Sequence, residues 1–175
     1  MRPVDPTSAL AALIAGNRRH LVRCHAHNAE HEQQPLVAPG ARPFALALAE
    51  RSIVKVATSV FSATERDLHV VDCPIEAGAR AEEHGIGLVV ALHPLRTSLV
   101  EFAIEAEVEV ERRISEDAAF ERLAHALRAS SHLREAILDG RVRAVAALLE
   151  EESQRVHWLG EHPRLAALLA AQPPG

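Results

Sequence analysis

Three short apolar runs, each closed off by turn-forming residues, constrain this chain more than any other feature. Residues 44–48 follow a loop marked by Pro35, Pro39, Gly40 and Pro43. Residues 68–71 are stopped by Pro74, and residues 88–92 are entered through Gly85 and Gly87. Apolar runs of this length without polar alternation are the pattern of strands covered on both faces, as in a parallel sheet. The segments around them have helical character. Leu10, Leu13, Ile14 and Leu21 recur at helical spacing behind Asp5 or Thr7 as N-cap. Residues 77–84 read as a short helix, and residues 97–128 carry many opposite charges four apart. Ser130 and Ser131 can cap another helix that ends at Leu138. Residues 55–62 mix small and β-branched side chains and fit either class. Beyond the Asp139-Gly140 turn, residues 142–149 and 155–159 predict a hairpin, and residues 163–171 a last helix. Strands alternating with helices predict an α/β fold with a central, mostly parallel sheet flanked by helices. There is no internal repeat and no dividing linker, so one domain is expected, with residues 1–42 as an N-terminal helix and arm and residues 43–175 as the α/β core.

Composition narrows the function. The chain has 175 residues, 48% of them hydrophobic, enough to bury a core. Its 19 Lys and Arg against 24 Asp and Glu leave a net charge of −5, with no basic surplus to displace counterions, so nucleic acid is not expected as a partner. No apolar run approaches the roughly 18 residues of a membrane span, and the N-terminus lacks the pattern of a secretory leader. Cys24 and Cys73 read as reduced thiols, and a cytoplasmic protein is expected. Tyrosine is absent, whereas 11 histidines make metal binding a question. Four potential ligands fall in a polar stretch, Cys24, His25, His27 and His31. It reads as a solvated arm, with surface metal binding as the other reading. The glutamates of residues 101–111 read as a solvated helix face, and Glu150, Glu151 and Glu152 as a hairpin tip.

Several stretches, taken in order, resemble the β-class carbonic anhydrases. Leu13-Ile14-Ala15-Gly16-Asn17-Arg18-Arg19-His20 is similar to that family's first helix, L-x-x-G-N-x-R-F. Arg42-Pro43-Phe44-Ala45-Leu46-Ala47-Leu48 resembles the strand leading to its first zinc ligand. Arg66-Asp67-Leu68-His69-Val70-Val71-Asp72 resembles G-D-L-F-V-V-R, and Gly85-Ile86-Gly87-Leu88-Val89-Val90-Ala91-Leu92-His93 the strand ending in G-H-x-x-C-G. Leu138-Asp139-Gly140-Arg141-Val142 and Gln154-Arg155-Val156-His157-Trp158-Leu159 are similar to its closing hairpin. The resemblance implies a β-carbonic-anhydrase-like fold and a homodimer in which the N-terminal arm wraps the partner subunit.

The catalytic positions depart from that family. Its C-x-D-x-R motif falls on Glu50-Arg51-Ser52-Ile53-Val54, so the ligand cysteine has become Glu50. In the second motif His93 matches the ligand histidine, but the ligand cysteine falls on Arg96, and the arginine of V-V-R becomes Asp72. A zinc ion that ionises water needs a set of good donors. Arginine offers no lone pair and repels the cation. No cofactor is therefore expected, zinc included. The expected substitute is a Glu50–Arg96 ion pair that cross-links two strand ends where the metal would sit. Two other readings stay open. Glu50 as base, His93 as proton carrier and Arg96 as anion clamp would make a new lyase- or hydrolase-type site for a small anionic substrate. A rearranged metal site would use Glu50 and His93 with Cys73 or His69. The leading expectation is a carbonic-anhydrase-like protein that has lost zinc-dependent carbon dioxide hydration, with a structural or regulatory role, as a homodimer or as partner of an active homologue or another enzyme.

Overall fold

Asp5 begins the first helix. Its carboxylate accepts the amides of Thr7 at 3.1 Å and Ser8 at 3.0 Å, satisfying donors that a helix start leaves unpaired. The computed structural model describes residues 5–25, 42–95 and 105–171. In chain order the elements are α1 (Pro6–His25), β1 (Ala45–Ala49), α2 (Val54–Val60), β2 (Leu68–Val71), α3 (Pro74–His84), β3 (Leu88–Leu95), α4 (Glu105–Ala129), α5 (Ser131–Leu138), β4 (Arg143–Glu150), β5 (Arg155–Gly160) and α6 (Leu165–Ala170). The strands form one sheet in the order β2-β1-β3-β4-β5. The first four run parallel, and β5 returns antiparallel along β4. This is the expected α/β architecture, with a mostly parallel sheet flanked by helices.

Both faces of the sheet are covered, which explains the unbroken apolar runs. Ala45, Ala47 and Ala49 of β1 face one way and pack with Leu13, Ile53, Ala57 and Phe61 of the α1 and α2 side. Leu46 and Leu48 face the other way, against Ala77, Ala81, Leu123 and Leu127 of α3 and α4. In β3, Leu88, Val90 and Leu92 join the first layer, and Val89 and Ala91 the second.

The Gly-Asn pair of the first helix has a packing role. A Cβ added to Gly16 would lie 1.9 Å from the carbonyl oxygen of Phe61, so α1 and the end of α2 approach as only glycine allows. Asn17 beside it is buried; its amide donates to the carbonyls of Val60 at 2.9 Å and Gln154 at 3.0 Å, and its oxygen accepts the Val156 amide at 3.2 Å. One side chain thus ties α1 to α2 and to the β4–β5 hairpin. Asp67 does comparable work at the start of β1. Its carboxylate accepts from the Thr64 amide and hydroxyl, and its carbonyl accepts the Phe44 amide at 3.0 Å. At the far end of α4, the buried Arg134 donates to the carbonyls of Leu127 at 2.6 Å and Arg128 at 3.2 Å, closing the helix terminus as Ser130 caps α5.

Local differences from the sequence reading have plain causes. Residues 55–62 belong mainly to helix α2, whose buried Ala57 and Val60 face the sheet. Helix α3 starts at Pro74 because proline is well accepted in a first turn. Cys24, expected in the arm, sits on the last turn of α1, while His27 and His31 lie outside the described residues. No helix among the described residues is long and apolar enough to cross a membrane.

Gly16→Ala should lower the unfolding free energy by on the order of 3 kcal/mol, as overpacking against backbone does. The exposed change Ala11→Gly should cost only about 1 kcal/mol. Urea unfolding of the two variants checks this, and equal costs would contradict the close approach.

Candidate functional site

Ligands of parallel α/β sheets bind beyond the carboxyl ends of the strands. At that end β1 and β3 are neighbours, and the Glu50 amide donates to the Leu92 carbonyl at 3.1 Å, which sets Glu50 beside His93. Side-chain alternation then fixes their direction. Glu50 follows Leu46 and Leu48 on the side that α3 and α4 cover, and His93 follows Val89 and Ala91 on the same side. The N-terminal turn of α3 and the middle of α4 stand over this edge. Between them lies an open cleft of about 790 Å³, lined among others by Pro74, Ile75, His93, Ala118, Arg122 and His125.

The charges at the cleft are held in place. The Glu50 carboxylate accepts hydrogen bonds from the Ser52 hydroxyl and from the Ser52 amide, the latter at 3.2 Å. The Ser52 hydroxyl keeps its pKa below the usual carboxylate range against the opposing effect of burial, and the positive charges of His93 and Arg122 act in the same sense. Arg122 reaches across from α4. Its Nη1 donates to the Asp72 carbonyl at 2.9 Å and to the Ala49 carbonyl at 3.4 Å, so one guanidinium joins the ends of β1 and β2. Glu121, the acid of the cleft, is itself paired with Arg128 at 3.3 Å and Arg164 at 3.6 Å.

The candidate residues from the sequence separate into groups. Glu50 and His93 come together. Arg96 lies outside the described residues, and with it the Glu50–Arg96 ion pair. Asp72 turns its carboxylate toward Arg51, 3.7 Å away, and gives its carbonyl to Arg122. Cys73 is half-buried at the N-cap of α3. His69 pairs in register with Leu46, four positions before Glu50, or roughly 13 Å back along the strand. Its ring lies against that of His84, with centroids 4.9 Å apart and the planes tilted by 48°. His69 therefore does not join Glu50 and His93. Among the described residues no group of three His, Cys, Asp or Glu side chains could hold a metal ion. The described donors do not fit the zinc site that the family resemblance implies: Glu50 is engaged by Ser52, and a guanidinium stands beside it.

Arg122 is the site residue that sequence reasoning missed. It sits in a helix whose other arginines form ordinary pairs, such as Arg112 with Glu116 and Arg113 with Glu109. The available signal was the absence of an acid three or four positions away, where the chain has Ala118, Ala119, His125 and Ala126.

No protein-family model and no curated protein matches this chain. Among solved structures it is similar to the β-carbonic anhydrase isoform I of the protozoan Trichomonas vaginalis, with 11% sequence identity and a TM-score of 0.42 over 87% of this chain and 98% of that one. The likeness is too loose to carry residue roles from that enzyme to this protein.

Because its folded-state pKa is depressed, Glu50 contributes stability that is present above the ordinary carboxylate range and is lost as pH falls through the folded value. Ser52→Ala should raise the Glu50 pKa and reduce that acid-side loss. A carboxyl-carbon NMR titration of both proteins checks this, and an unmoved Glu50 would contradict the assigned cause.

Proposed function

We propose that this protein is carbonic-anhydrase-like but does not hydrate carbon dioxide on zinc, and that it binds a small anion in the cleft at the carboxyl ends of its parallel strands. In this reading it serves a structural or regulatory role, as a homodimer or beside an active homologue or another enzyme. The observation that carries the proposal is Arg122, a fixed cation anchored to the Ala49 and Asp72 carbonyls next to His93. A guanidinium cannot lose its proton and gives no electron pair to a metal, whereas its Nε and Nη2 donors suit an oxyanion. His93, Arg122, His125 and Arg128 line the cleft, and Glu121 is taken up by its own arginine partners. The cleft thus favours negative charge.

Glu50 as a general base is the weaker reading. Ser52 stabilises its ionised form, which makes the carboxylate a poorer proton acceptor. The same stabilisation suits a fixed charge that orients Arg122 and His93.

Acetate and inorganic phosphate, titrated into the full chain and followed by calorimetry, should bind weakly. His93→Gln and Arg122→Lys should each lower the affinity by about tenfold, the loss expected for one charge-assisted contact. Protein supplied with equimolar zinc should hydrate carbon dioxide no faster than buffer. Zinc-dependent hydration, or anion affinity unchanged in both variants, would overturn the proposal.

A further inference from the structure

His20 and Cys24 lie one turn apart near the end of α1, and their donor atoms meet. Cys24 Sγ is 3.4 Å from His20 Nε2. Residues four apart on a helix share a face, so the helix backbone itself presents the pair. The thiol is exposed, and neither residue belongs to the cleft at the strand ends. A tetrahedral zinc ion holds sulfur at about 2.3 Å and imidazole nitrogen at about 2.05 Å, which sets two such ligands about 3.6 Å apart. The separation in α1 is within about 0.2 Å of that bite.

We infer that His20 and Cys24 chelate a divalent cation of the zinc type, at a site unrelated to the family's metal position. The balance of the step is simple. The Cys24 S–H bond breaks, its proton goes to solvent, and a sulfur–metal bond takes its place. His20 supplies the Nε2 lone pair with its ring proton on Nδ1. Arg19 and Arg23, beside the two ligands in sequence, weigh against a cation there. No third His, Cys, Asp or Glu joins the pair among the described residues. Water fills the remaining positions, so the site is open and its metal exchangeable, unlike a closed structural zinc site.

Cobalt(II) titrated into the full chain tests this, because thiolate ligation gives a charge-transfer absorption in the near ultraviolet. The band should saturate near one equivalent and disappear in Cys24→Ser. It should persist in Cys73→Ser, and His20→Ala should weaken binding by about tenfold or more through loss of the chelate. Circular dichroism of each variant verifies that α1 is intact. A wild-type protein without the thiolate band, or His20→Ala binding as tightly as wild type, would overturn the assignment.

Discussion

The guanidinium of Arg122 holds together three elements that the sequence places far apart. It lies 73 residues from Ala49 and 50 from Asp72, yet bonds the carbonyls of both. Those carbonyls stand where β1 and β2 stop, and buried strand-end carbonyls need donors. By satisfying them, Arg122 fixes the middle of α4 over the carboxyl edge of the sheet. The other end of α4 is fixed by Arg134, which closes its last turn from α5. A helix pinned at two points, with Leu123 and Leu127 buried between them, makes a firm wall for the cleft.

The remaining groups of the site follow from strand register and alternation. Parallel pairing of β1 with β3 sets Glu50 next to His93, and even spacing turns both toward α4. Glu50 then meets Ser52 two residues on, within the turn that leads into α2, and Ser52 holds its carboxylate in place. A carboxylate, an imidazole and a guanidinium thus stand near one another at one edge of the sheet. Glu121, beside Arg122 in sequence, is paired instead with Arg128 and Arg164.

Much of the fold was legible because it is written in local chemistry. Residues 68–71 were readable as a strand from their apolar run and from Pro74, which also starts α3. Ser130 announced the cap that it makes with Leu133. Gly16 and Asn17 were recognisable as a motif, although their work, a backbone contact with Phe61 and three long-range hydrogen bonds, belongs to tertiary structure. Residues 55–62 had no period of their own, and burial of Ala57 and Val60 settles them as helix. Glu50 and His93 could be placed together by counting from the strands. Arg122 could not, because its partners are main-chain carbonyls, which leave no trace in side-chain spacing. Cys24 was legible as a potential ligand together with His25, His27 and His31, but its pairing with His20 one turn earlier was not, because that turn belongs to the apolar-patterned helix α1.

Arg122 ties the strand ends through the protein's own groups, the Ala49 and Asp72 carbonyls. Thermal unfolding with and without a strong zinc chelator tests it most directly, with the Cys24→Ser variant used so that the α1 pair makes no contribution. The midpoint should be the same in both conditions. A structural zinc ion contributes on the order of 10 kcal/mol, so a fall of many degrees on chelation would contradict it.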